Sequence, residues 1–398
     1  YLGPPIMNFW QNIPRPIIGL SPMDGVTDAS FRFVTAKHGH PDVILTEFVN
    51  IQSALYAPEM LLRDFTYSEI ERPVVAQIYG KTPELFYKVA HIVGELGFDG
   101  LDINMGCPAR KVAAAGCGAA LIRQPELARA IIRATRQGLQ DWYDGQSLKE
   151  LGIRPGAIAA FNAANRRRAG VYAIAAIADR RLLPVSIKTR LGYDRIVVKE
   201  WISTLLEEGP AAITLHGRTL QQGYKGSADW EAIAQAAGIV KGSGTLLLGN
   251  GDLQDMPDVY RRVRESQVDG VLIGQAARGN PWLFAGKEQV KQALRGIGAV
   301  APLPAVSLAE RFNVILEHSR HYENVVQNRC FDGMRSHLLR YCRDLHGAAE
   351  LRPQVVRVSS ARDVEVVLEN YLRGTDCRLP EPGPVTGGAT GYSPAAEG

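Results

Sequence analysis

Cys107 lies between Gly106 and Pro108, and Gly-Cys-Pro neither continues a strand nor opens a helix smoothly. Such a segment presents its thiol on a loop. A free thiol with a pKa of about 8.5 is mostly protonated at neutral pH and can act as an acid. The bland alternative is a buried structural cysteine. Other polar groups recur in the same kind of place, at the ends of short apolar runs: Gln77, Asp102-Ile103-Asn104, Lys188-Thr189-Arg190, His216-Gly217-Arg218-Thr219, Asn250-Gly251-Asp252 and Gly274-Gln275. An ammonium at the end of a buried run, as at Lys188, suits stabilising negative charge on a reduced flavin ring. His216 and Arg218, two residues apart on an extended segment, point the same way and suit cofactor or substrate contact, against the alternative of a satisfied core histidine. The Gly-rich turns at Gly249–Asp252 and at Gly274 precede helical segments, where exposed backbone N–H groups bind phosphate. No G-x-G-x-x-G fingerprint and no P-loop is present, which argues against a Rossmann dinucleotide site or an NTPase.

The apolar runs that carry these groups number eight: 16–20, 42–46, 73–78, 100–104, 184–188, 212–215, 246–249 and 270–273. Each is nearly continuous in apolar residues, as parallel strands covered on both faces are. Helical patterns lie between them, such as 83–96, 125–137, 199–208 and 257–265. The steps between strand ends are 26, 32, 26, 84, 27, 34 and 24 residues, and all but one suit a single βα unit of roughly 30 residues. The predicted fold is therefore an α/β (β/α)8 TIM barrel over residues 1–300, with an open doubly wound sheet as the alternative. Polar strand ends would then converge on one rim.

The long step implies an insertion at about 141–182, containing the run Arg166-Arg167-Arg168, read as a solvated face in preference to a phosphate contact. Residues 301–376 read as a separate all-helical domain after a Gly- and Pro-rich break, and 377–398 as a disordered tail. Between His318 and Arg362 there are eight Arg against four acids, a local excess suited to phosphate and base contacts.

The 398 residues are 46% hydrophobic and 22% charged, which excludes wholesale disorder, and a net charge of +4 permits a polyanionic partner without requiring one. Five cysteines without zinc-ligand spacing predict no metal, no disulfide framework and a reducing cytoplasm. No apolar run approaches the ~20 residues of a membrane span, and the first residues carry no secretory pattern, so no membrane association is expected. A monomer is the working expectation for the oligomeric state.

Taken together, Ser21 to Asp28 with Phe31-Arg32, Asp102 to Pro108, Gly116 to Leu121, Lys188 to Gly192, His216 to Thr219, Asn250 to Asp252 and Gly279 to Trp282 resemble the tRNA-dihydrouridine synthases. The wording around Cys107 is most similar to the bacterial B-type branch. The resemblance implies an FMN-bearing barrel, a helical tRNA-binding domain, and NADPH-driven reduction of a tRNA uridine to 5,6-dihydrouridine. It implies further that Pro22, Met23, Gln77, Lys188 and His216 surround the flavin, and that Asn250, Gly251, Asp252, Gly274 and Gln275 lie at its phosphate end. Asn104, Arg190 and Tyr224 would face the uracil, and Cys107 aligns with the proton donor. The chain departs from the family at Gly274-Gln275, where Gly-Arg is common; either Arg278 substitutes or backbone N–H groups suffice. The rival readings are an FMN barrel acting on a free pyrimidine, of the dihydroorotate or dihydropyrimidine dehydrogenase type, and a non-catalytic tRNA-binding protein.

Overall fold

The computed structural model describes residues 8–172, 180–326 and 330–376. The expected tail at 377–398 lies outside the described residues. Eight strands, β1 (Ile17–Leu20), β2 (Ile44–Asn50), β3 (Val74–Tyr79), β4 (Gly100–Met105), β5 (Val185–Arg190), β6 (Ala212–His216), β7 (Leu246–Asn250) and β8 (Gly270–Ile273), pair in parallel in sequence order and close into a barrel through β1 and β8. The predicted TIM barrel is correct.

Alternation along each strand sorts the side chains. Ile18, Leu20, Ile44, Val74, Ala76, Ile213, Leu215, Leu247, Val271 and Ile273 pack outward in a large cluster with the surrounding helices. Their neighbours Ile17, Leu45, Val75, Ala212, Leu246, Leu248 and Leu272 form a distinct cluster with Trp10, which is 1% exposed. Period-two alternation assigns that second set to the interior, where it fills the end of the barrel at which the strands begin. At the other end the same alternation turns Gln77, Asp102, Asn104, Ser186, Lys188, Arg190, Thr214, His216 and Asn250 inward.

β2 runs further than the sequence suggests, through Glu47 and Asn50, with a register shift against β3 between Leu45 and Phe48. The polar residues Thr46, Glu47 and Asn50 conceal this extension. The insertion contains a helix, Pro155–Tyr172, where it is described. Its arginine run is not uniformly solvated: Arg166 and Arg167 are exposed, but Arg168 pairs with Glu69 at 3.0 Å and lies over the Tyr67 ring at 4.3 Å.

Helices Leu308–Val326, Asp332–Tyr341, Ala348–Val355 and Ala361–Asp376 pack around a cluster of their own, including Met334, Leu338, Tyr341, Leu351, Val364 and Leu368. They meet the barrel at helix Ala29–Gly39. Asp28 caps that helix by accepting the N–H groups of Ser30 and Phe31, both at 2.9 Å. Its other carboxylate oxygen lies 2.8 Å from His337 Nε2.

Candidate active site

Parallel strands end together, so the last inward residues of β3 to β7 meet at one rim. There a hydrogen-bonded relay crosses three strands. Ser186 Oγ donates to Asp102 Oδ1 at 2.6 Å, and Gln77 Nε2 donates to Asp102 Oδ2 at 2.7 Å. Asn104 Nδ2 donates to Gln77 Oε1 at 2.9 Å. Asn104 Oδ1 then accepts the backbone N–H groups of Gly106 and Cys107, at 3.1 and 2.9 Å. Burial pushes the Asp102 carboxyl up to about 6, against the pull of Ser186, Gln77 and Lys188. The relay fixes the turn that carries Cys107.

Arg190 secures the same turn from β5. Its Nε donates to Gly106 O at 2.7 Å, and its Nη1 to Thr219 O and Gly223 O at 3.1 and 3.2 Å. Arg190 is 4% exposed and thereby links the loops after β4 and β6. Cys107 is buried. Burial, reinforced by Asp24, raises its thiol pKa against the opposing pull of the Ala109 backbone N–H, Arg190 and Lys188, so the sulfur keeps its proton at neutral pH.

Lys188 Nζ donates to Asn250 Oδ1 at 3.0 Å, and Asn250 Nδ2 donates to Leu272 O at 2.7 Å. Burial, then Arg190, lowers the ammonium to about 8. Burial and the three cations Lys188, Arg190 and Arg218 hold His216 down to about 2, so its ring is neutral at ordinary pH. His216 Nδ1 is buried with no protein partner. Gly251 has φ +123°, and a Cβ there would stand 2.8 Å from Ala228 Cβ. A Cβ on Gly274 would stand 3.1 Å from Met23 Sδ. At Gly251 the backbone conformation and the close approach both call for glycine.

The partnerless His216 nitrogen, the unused N–H bonds of Lys188 and the two glycine turns fit a planar polar heterocycle carrying a phosphate. Met23, in the loop after β1 beside Pro22, meets the Gly274 turn; Thr27 Oγ1 accepts the N–H of Met23 at 2.9 Å. Asp252 turns its carboxylate to Arg218 Nη2 at 2.7 Å and to the N–H of Ala228 at 2.7 Å, so its side chain braces the turn. Gln275 is exposed and accepts from Arg278 Nη1 at 3.2 Å. Tyr224 is 72% exposed, on the loop whose Gly223 carbonyl holds Arg190.

Two participants escaped the sequence reading, Ser186, which anchors the relay with Asp102, and Glu47, whose Oε1 accepts the N–H of Gly25 at 2.6 Å; Asp102 stands among the polar strand ends in that reading but without a role. Inward alternation along the apolar runs would have exposed Ser186. Burial, with Asp28 next, raises Glu47 to about 7.

A protonated thiol, a rim ammonium and glycine turns gathered at the C-terminal face of a (β/α)8 barrel have the composition of an enzyme site. The family described as "Dihydrouridine synthase (Dus)" matches residues 19–175 and 167–375. A probable tRNA-dihydrouridine synthase 2 from Bacillus subtilis (strain 168) is 31% identical over 371 residues, covering 92% of this chain and 97% of that protein. A probable tRNA-dihydrouridine synthase from Staphylococcus aureus (strain MRSA252) is 31% identical over 370 residues, covering 92% and 95%. A solved structure of DHODH from Eimeria tenella in complex with ferulenol is 15% identical with a TM-score of 0.44, covering 71% of this chain and 83% of that one. The chain belongs to the dihydrouridine synthase family. Among the described residues no helix is long and apolar enough to cross a membrane.

Proposed function

We propose that this protein reduces a uridine of tRNA to 5,6-dihydrouridine, with FMN as resident cofactor and NADPH as reductant. The observation that carries the reading is a buried, protonated Cys107 thiol held at the barrel mouth among Lys188, Arg190 and His216.

Bound flavin would supply the hydride for C6 of the uracil, which no side chain can provide. Pro22, Met23, Gln77, Lys188 and His216 would hold its ring. The turns at Asn250, Gly251, Asp252, Gly274 and Gln275 would hold its phosphate end, chiefly through backbone N–H groups. Cys107 delivers a proton to C5. Arg190 keeps the thiol's loop in place, and Asn104 does so from the other side through its carbonyl oxygen. Asn104 Nδ2 and Arg190 Nη2 retain donors that can polarise the uracil oxygens as negative charge develops. Tyr224 covers the base from its exposed loop. The uridine must leave its stack to reach a mouth this recessed, which favours a loop with splayed bases. The helical region, 301–376, grips the rest of the tRNA, and the sparse cysteines suit a reducing cytoplasm as its setting.

The test is nucleoside mass spectrometry of an unmodified tRNA transcript after incubation with the purified flavoprotein and NADPH. Dihydrouridine at a defined position is expected. Equal efficiency on free uracil would favour the free-pyrimidine reading, and a colourless, inactive preparation would favour a non-catalytic RNA binder.

A further inference from the structure

Some arginines of the helical region are held by acids. Arg320 and Arg362 share Glu365, and Arg335 pairs with Asp332. Arg340 and Arg343, at the end of helix Asp332–Tyr341, enter no ion pair among the described residues. A third arginine meets them from the barrel. The turn after β8 abuts that helix end so closely that a Cβ on Gly279, at φ +74°, would stand 2.6 Å from the carbonyl of Arg340 and 2.9 Å from the N of Tyr341. Arg278, next to it, is half-buried. Its Nε is buried without a partner, and its Nη1 donates only to Gln275. Burial lowers the Arg278 pKa, and the neighbouring charges of Arg340 and Arg343 add to it. Asp344, which follows Arg343 in the chain, and Glu350 are exposed and form no ion pair with any of the three.

Arginines in a last helical turn commonly offset the helix dipole. That accounts for Arg340 and Arg343 but not for Arg278, which lies off the helix and adds a like charge with an orphaned donor. Such a convergence is stable against an anion, and guanidinium forks match phosphate oxygens. The phosphate of a flavin already has the glycine turns at Gly251 and Gly274, whereas two of these arginines belong to the helices and Arg343 is exposed.

We infer that Arg278, Arg340 and Arg343 form a seat for a phosphodiester of the RNA backbone, astride the seam between the β8 turn and the helical region. The inference rests on the tRNA reading above. It makes the barrel itself a contributor to RNA grip.

The experiment measures affinity for an unmodified tRNA transcript by fluorescence anisotropy across a sodium chloride series, with flavin absorbance per protein and thermal unfolding recorded for each variant. The double variant Arg278→Gln/Arg343→Gln should bind more weakly and lower the slope of log affinity against log salt by about one to two. Its flavin content should match the wild type. Arg343→Gln alone, at an exposed position, should lower the slope by about one and covers the case in which the double variant misfolds. Arg335→Gln, whose charge is already paired one-to-one with Asp332, should leave the slope unchanged. An unchanged slope in folded Arg278→Gln/Arg343→Gln overturns the inference while wild-type binding upholds the tRNA reading. Loss of flavin with an unchanged slope reassigns the cluster to the cofactor phosphate and also overturns it. A wild type that does not bind tRNA sinks both.

Discussion

Asn104 and Cys107 are joined by a hydrogen bond from the backbone N–H of the cysteine to the amide oxygen of the asparagine, at 2.9 Å. That oxygen also accepts the N–H of Gly106, so one side chain closes the turn that aims the thiol. Replacing Asn104 by Ala leaves two largely buried N–H groups without acceptors, costing about 1–3 kcal/mol of stability. Thermal unfolding should report that loss, and turnover should fall in the folded fraction as the thiol wanders. A variant as stable as the wild type would show that the turn holds itself.

Cys107→Ala should retain the fold and the flavin but lose turnover by about 10²–10⁴-fold, the usual reach of a general acid. Rapid-mixing measurement of flavin reoxidation by tRNA isolates this step from reduction by NADPH. Reoxidation at the wild-type rate would refute a proton-donating role.

Lys188 sets a pH dependence whose sign follows from its direction of shift. Burial brings the ammonium down to about 8, below the unfolded value of about 10.4. The folded state therefore binds fewer protons between those values, and the stability of the ligand-free protein should rise with pH across that window. Flavin binding should move the opposite way, weakening above about pH 8 as the positive charge is lost. Lys188→Met should flatten both profiles in equilibrium binding and thermal melts; an inflection that survives in Lys188→Met belongs to another group.

The Asp28–His337 contact joins the barrel to the helices. Burial of the Asp28 carboxyl is outweighed by His337, by its hydrogen bond, by His318 and by the N–H of Phe31, which hold it well below the ordinary carboxylate range. Such a group stabilises the fold above its unfolded pKa of about 4 and loses that contribution as pH falls through the lower folded value. Asp28→Asn should thus be less stable than wild type at pH 7, with the difference shrinking below about pH 4 in urea titrations. A difference constant from pH 7 to pH 2 would remove the charge-based account.

Much of this architecture is legible in the chain. Eight apolar runs spaced by one βα unit define the barrel because strands buried on both faces leave no room for polar alternation. Rim residues such as Gln77, Asn104 and Lys188 stand out because they interrupt those runs. What the sequence withholds is direction. Asn104 uses its oxygen on the Cys107 turn and one amide hydrogen on Gln77, a division of labour that only the relay reveals. Arg190 spends most of its donors on three loop carbonyls, so its first task is to hold loops. Asp28 meets His337 across 309 residues, and nothing local in the sequence marks that contact. The insertion helix escapes because its Ala- and Gly-rich composition carries no periodic apolar stripe.

Trp10 and the inward aliphatic side chains stopper one end of the barrel. A cylinder corked at its base has a single doorway. On the proposed function, NADPH and tRNA would queue at that doorway, each departing before the next arrives, and steady-state plots at several fixed concentrations of one should give parallel lines for the other.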